Sequence, residues 1–255
     1  MKNKLIVGNW KMNKTIKETE LFFDAFNKDF NEKTKNKVVI CPGFLAIQKA
    51  MELTKDSVVA IGAQNAHYSL QTTFTGEVST EMLAEVGVTY AIIGHSSRRE
   101  FDGDTNDRIN KKLHACIDAN ITPILCVGEN KKERDMGRTY KVIKKQITEA
   151  FDDIENPSKV VIAYEPLWAI SDGKTPVDPP TTEEISGVVS GIRRVLKQLY
   201  EKDLLKNVVI LYGGSVTDKN ANEIMSIKNI GGVLVGGASL KPEKFNGIIK
   251  AVDWC

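Results

Sequence analysis

The run VVIAYEPLW, residues 160–168, sets five apolar or aromatic side chains in a row before a glutamate. A strand with one wet face alternates apolar and polar residues, whereas a strand covered on both faces has no polar position to spare. Val160–Ala163 therefore reads as a buried strand, and seven other runs read the same way. They are Leu5–Gly8, Val38–Cys41, Val58–Gly62, Tyr90–Gly94, Thr122–Val127, Val208–Tyr212 and Gly232–Val235.

Between the runs lie one-sided apolar stripes at helical spacing. Tyr140, Ile143, Ile147, Phe151 and Ile154 form one, and Ile185, Val188, Ile192, Val195 and Leu199 another. Phe22, Phe23, Phe26 and Phe30 form a third, and Phe245, Ile248 and Val252 a fourth. Strand and helix alternate from end to end, which predicts parallel strands joined by helical crossovers. Eight such units in 255 residues suit an α/β fold of the closed (β/α)8 barrel type, with eight parallel strands inside a ring of helices. No break in composition divides residues 1–255, so one domain is expected.

Lys+Arg at 35 against Asp+Glu at 33 leave a net charge of +2, which argues against a nucleic-acid partner. Lys131-Lys132 and Lys144-Lys145 read as solvated helix faces. The apolar run Leu5 to Val7 is too short for a signal-peptide core, and no segment approaches the roughly 20 apolar residues of a membrane span. A cytoplasmic location is expected, with Cys41, Cys116, Cys126 and Cys255 as reduced thiols. Neither the cysteines nor the three histidines have the spacing of a zinc site.

In a parallel barrel, function belongs to the loops at the carboxyl ends of the strands. Asn9, Trp10 and Lys11 follow the first run, Gln64 and Asn65 the third, His95 and Ser96 the fourth. Glu129 follows the fifth, Glu165 the sixth, and Gly213-Gly214-Ser215 and Gly236-Gly237 the last two. One rim thus gathers a candidate base (Glu165), a candidate acid (His95), a cation (Lys11) and glycine pairs that let backbone N–H groups approach a phosphate. The set suits proton transfer beside a carbonyl of a small phosphorylated substrate. Glu165 would take a carbon-bound proton while Lys11 and His95 stabilise the oxyanion. That reaction calls for no metal or organic cofactor. Taken singly, Glu165 and Lys11 read as surface charges, His95 as a cap and the glycines as turns; their convergence carries the functional reading.

The motifs GNWKMN (8–13), GAQN (62–65), FTGEVS (74–79), IIGHS (92–96), PILCVGE (123–129), AYEPLWAI (163–170), YGGSV (212–216) and LVGGASL (234–240) run through the whole chain. In this order they make the sequence resemble the triosephosphate isomerase family. The resemblance implies reversible interconversion of dihydroxyacetone phosphate and D-glyceraldehyde 3-phosphate through an enediol(ate). It implies Glu165 as base, His95 as electrophile, and Lys11 and Asn9 at the substrate. The phosphate would be held by backbone N–H groups of Ser171, Ser215, Gly236 and Gly237. A lid formed by Pro166, Leu167, Trp168, Ala169, Ile170, Ser171, Asp172, Gly173, Lys174, Thr175 and Pro176 would exclude water. A homodimer is implied too, with the 65–79 loop from Asn65, and Thr75 at its tip, reaching into the neighbouring subunit. The implied setting is glycolysis and gluconeogenesis, with no membrane partner.

Two departures stand out. The family usually reads GHSERR, whereas residues 94–99 read GHSSRR and place Ser97 where a carboxylate near the substrate lysine is usual. That puts the positioning of Lys11 in question, while Ser97 and Glu100 fit a helix-capping box. The lid usually reads WAIGTGK, whereas here Ser171 lacks glycine's freedom at positive φ and Asp172 brings a negative charge toward a dianionic ligand. Pro176, Pro179 and Pro180 lengthen the downstream end, read here as a surface insertion. Ser97 and Ser171 argue for a second class of function, an attenuated barrel that keeps its phospho-ligand pocket as a binding or interaction protein, whereas retention of Asn9, Lys11, His95 and Glu165 argues against it and for an active isomerase.

Overall fold

In the computed structural model, which describes residues 3–69, 73–170 and 179–253, eight parallel strands close into a barrel in chain order. They are β1 Leu5–Asn9, β2 Lys37–Cys41, β3 Ala60–Ala63, β4 Tyr90–Ile93, β5 Thr122–Val127, β6 Val161–Tyr164, β7 Ile210–Tyr212 and β8 Gly232–Val235. Closure comes from β1 pairing with β8, Leu5 opposite Gly232 through Gly8 opposite Val235.

The two-sided burial has a direct cause. Leu5 and Val7 of β1 belong to one apolar cluster with Val39, Ile92, Ile124 and Leu234, while Ile6 joins a second with Phe22, Phe26 and Phe245 from the helices. Neither face of the strand meets water, so Leu5–Gly8 carries no polar side chain. The third run begins later than its β-branched residues suggest, because Val58 is half exposed and its N–H donates to Glu32 in a turn. β7 likewise starts at Ile210 rather than Val208.

The helices are α1 Ile16–Asp29, α2 Ile47–Leu53, α3 Thr80–Glu85, α4 Ser96–Phe101, α5 Asn106–Asp118, α6 Lys131–Asp135, α7 Thr139–Ala150, α8 Thr182–Leu199, α9 Ala221–Ser226 and α10 Pro242–Asp253. α7 stops at Ala150, and Phe151 and Ile154 are buried beyond its end. On α8 the buried line runs through Ile185, Val189, Ile192, Val195 and Leu196, so Leu199 falls outside it. Lys131, Lys132, Lys144 and Lys145 are exposed. Among the described residues, no helix is long and apolar enough to cross a membrane.

Candidate active site

A cavity of about 240 Å³ opens at the carboxyl ends of the strands. Ten of the residues singled out from the sequence line it: Asn9, Lys11, His95, Glu165, Ile170, Gly213, Gly214, Ser215, Gly236 and Gly237.

Glu165 leaves β6 with its N–H bonded to Val127 O (2.8 Å), and Gly213 N–H closes on Tyr164 O (2.8 Å) from the other side. Glu165 is 3% exposed, with Oε1 3.4 Å from His95 Nε2 and Oε2 buried without a hydrogen-bond partner among the described residues. Beside it, burial and then the Glu165 charge push the Cys126 thiol well up. That thiol is a packing group, not a nucleophile.

Lys11 sits in the left-handed region, at φ 53°. For a non-glycine residue this costs on the order of 1–2 kcal/mol, so neighbours must hold it. Lys11 N–H donates to Asn9 Oδ1 (3.0 Å), and Gln64 Nε2 donates to both Lys11 O (2.8 Å) and Cys41 O (3.0 Å). Trp10, fully buried, donates from Nε1 to Ser239 O (3.1 Å) and packs edge-on against Phe22. The Lys11 backbone is therefore held by Asn9, Gln64 and Trp10, with no part played by position 97.

The capping box expected at Ser97 and Glu100 does not form. His95 is itself the N-cap of α4, its Nδ1 accepting the Ser97 N–H at 3.3 Å. That makes Ser97 the second helical residue, and its Oγ lies 2.9 Å from the imidazole Nδ1.

Opposite Glu165, the N–H groups of Ser215, Gly236 and Gly237 find no acceptor among the described residues, which suits an anion. The same wall carries Lys241 and Lys244, which the sequence reading passed over. They flank Pro242 at the start of α10, and their three-residue spacing just after the last glycine pair was the available signal.

The lid residues Ser171 through Pro176, with Asp172 among them, lie outside the described residues, as does Cys255. Of its upstream end, Pro166 and Ala169 are buried and Leu167–Ala169 form a short helical turn. Trp168 donates from Nε1 to Glu129 Oε1 (2.9 Å), while the Arg134 guanidinium stacks 3.7 Å from its ring. Glu129 is fully buried and also accepts from Tyr164 OH (3.2 Å), so it braces the loop rather than facing the cavity. Burial and then the Glu129 charge push the Tyr164 hydroxyl up. Arg134 also pairs with Glu184 of α8, joining the chain before the lid to the chain after it. Of the three prolines beyond the lid, Pro176 lies outside the described residues, Pro179 is exposed and Pro180 is buried.

Asn65 and Thr75 play different parts. Asn65 is buried and accepts from Lys112 Nζ (3.0 Å), which is itself paired with Asp104 (2.6 Å). Asn65 thus anchors the base of the loop, whereas Thr75 is exposed in the turn before Gly76.

Comparison with known proteins agrees with this geometry. The model of the family described as Triosephosphate isomerase matches residues 4–252. A triosephosphate isomerase of Aquifex aeolicus is 46% identical over 96% of this chain and 98% of its own length. Those of Alkaliphilus metalliredigens and Dictyoglomus thermophilum are 43% and 42% identical, each over 98% of this chain and 99% and 100% of their own. An eight-stranded parallel barrel, a buried glutamate beside a histidine on its rim, and matches of this extent lead to one conclusion: the chain belongs to the triosephosphate isomerase family.

Proposed function

We propose that this isomerase interconverts dihydroxyacetone phosphate and D-glyceraldehyde 3-phosphate, with Glu165 as the base. The observation that carries this reading is the buried Glu165 carboxylate with one oxygen unpartnered, in one cavity with Lys11, His95 and a phosphate-sized set of free N–H groups. Glu165 takes a proton from the hydroxyl-bearing carbon next to the carbonyl. The C–H electron pair becomes the C=C bond of an enediolate, and the carbonyl π pair moves onto oxygen. There the Lys11 ammonium and the His95 N–H offset the new charge. A proton moves between the two oxygens, and Glu165 returns its proton to the neighbouring carbon. Asn9 orients the substrate. Ser215, Gly236 and Gly237 hold the phosphate, joined by Ser171 when the lid closes.

Glu165→Asp tests the base. The shorter side chain withdraws the carboxylate by one methylene, and a misplacement near 1 Å is worth about a hundredfold in rate. In a coupled assay with glyceraldehyde 3-phosphate, kcat should fall by about that factor while KM changes little. An unchanged kcat in the variant would remove Glu165 from the reaction. Absent turnover in the wild type, with triose phosphate still bound, would leave a binding protein.

The same reading makes the protein a cytoplasmic homodimer in which each chain acts as one domain. Supporting the dimer, Met12, Phe44, Leu45, Phe74, Met82 and Phe101 are exposed apolar side chains on the segments that follow β1 to β4. A partner subunit seated on these segments would take those side chains out of water.

A further inference from the structure

Ser97 departs from the family pattern, and the structure gives that departure a partner. Two groups of Ser97 meet Nδ1 of His95, the backbone N–H at 3.3 Å and the hydroxyl Oγ at 2.9 Å. We propose that the Ser97 hydroxyl is a positioning group for His95, donating to Nδ1 so that the ring carries its proton on Nε2 and faces the cavity with it. The inference rests on the assignment of His95 as the electrophile.

Donor and acceptor bookkeeping decides the direction of the bond. A backbone N–H can only donate, so the Nδ1 that it meets must present a lone pair. A proton on Nδ1 would set donor against donor, the backbone N–H of Ser97 against the ring N–H, in a ring that is 7% exposed. A hydroxyl rotates, and it turns its hydrogen to the same lone pair. The backbone bond is long for N–H···N, while the hydroxyl distance lies well within hydrogen-bond range, so the side chain is the stronger of the two tethers. With Nδ1 occupied, the proton sits on Nε2, the nitrogen 3.4 Å from Glu165 Oε1 and on the cavity side of the ring.

An ionised glutamate at position 97 could not make this contact, because a carboxylate has only acceptors. The substitution therefore does more than delete a charge: it adds a donor to the imidazole. A loosened ring would spend part of its time off the line to the substrate oxygen, lowering turnover while leaving the phosphate grip unaltered.

Histidine labelled with 15N, in wild type, Ser97→Ala and Ser97→Thr, tests this, with His95→Gln identifying the His95 signals. Wild type should show an unprotonated, hydrogen-bonded Nδ1 and a protonated Nε2. In Ser97→Ala the Nδ1 signal should move toward that of a free imine nitrogen, and kcat should fall about three- to tenfold, the worth of one hydrogen bond, with KM within about twofold. Ser97→Thr, which keeps the hydroxyl, should restore both. A proton on Nδ1 in the wild type would overturn the proposal. So would an alanine variant that matches wild type in spectrum and kcat, or equal losses in alanine and threonine variants. Full turnover in His95→Gln would instead refute the His95 assignment, and is distinguishable because the resting spectrum does not depend on it.

Discussion

The Glu165 carboxylate has almost no slack. A Cβ added to Gly213 would lie 2.8 Å from Glu165 Cγ and 3.4 Å from Tyr164 O. Contacts that close force a shift, and the movable neighbour is the carboxylate. Gly213→Ala should lower kcat by on the order of a hundredfold. Overpacking should lower stability by about 1–3 kcal/mol. Steady-state kinetics and urea unfolding read the two effects, and a variant with normal kcat would show that the carboxylate tolerates displacement. At this scale the sequence was partly legible. Glu165, His95, Lys11 and Asn9 could be found because a strand end predicts a rim position. Gln64 and Gly213 could be placed on the rim in the same way, but their roles could not be read, because their work is a close approach to a segment distant along the chain. Ser97 was misread because histidine is outside the usual set of N-cap residues, and moving the cap by two positions turned a supposed cap into a partner of the ring.

Among the elements, α8 joins helix chemistry to the site. Thr181 caps it in a full capping box with Glu184, and Arg134 ties that glutamate to the stacked Trp168. The Thr181 backbone N–H, helped by Arg134, holds the Glu184 carboxyl below its ordinary value of 4.5. A carboxyl lowered by folding adds stability that is complete above pH 4.5 and is lost as pH falls below that through the lowered folded value. Urea midpoints measured against pH should therefore show a smaller acid loss in Glu184→Gln than in wild type, whereas superimposable pH profiles would show that the box carries no such linkage. The type and order of the elements were legible from periodicity, but their edges were less so. Val58 is β-branched and reads as strand, yet a turn fixed by Glu32 claims it. The register of α8 slipped by one residue at Val188 and Val189, because three- and four-residue steps both satisfy a helical stripe until packing chooses.

At the scale of the whole molecule, closure was legible because eight non-alternating runs in 255 residues leave no strand for an edge. A dimer is expected from the family resemblance alone, since an aromatic and polar loop reads like any surface loop. The exposed Met12, Leu45 and Phe101 now predict it. Sedimentation equilibrium at micromolar concentration should give twice the 28.3 kDa of one chain, and Leu45→Asp should shift the mass toward a single chain. A wild-type mass of 28.3 kDa would rule the dimer out. The tie from Trp10 to Ser239 spans 229 positions, and it imposes an order in time. On the ribosome β1 emerges first, and one of its edges stays bare until β8 follows. The turn bearing Asn9 and Lys11 gains its last anchor only when residue 239 has left the exit tunnel. A nascent chain thus carries Asn9, Lys11 and His95 through most of its synthesis without the wall that residues 213–244 supply, and a chaperone that shields the bare edge of β1 would act on the junction that forms last.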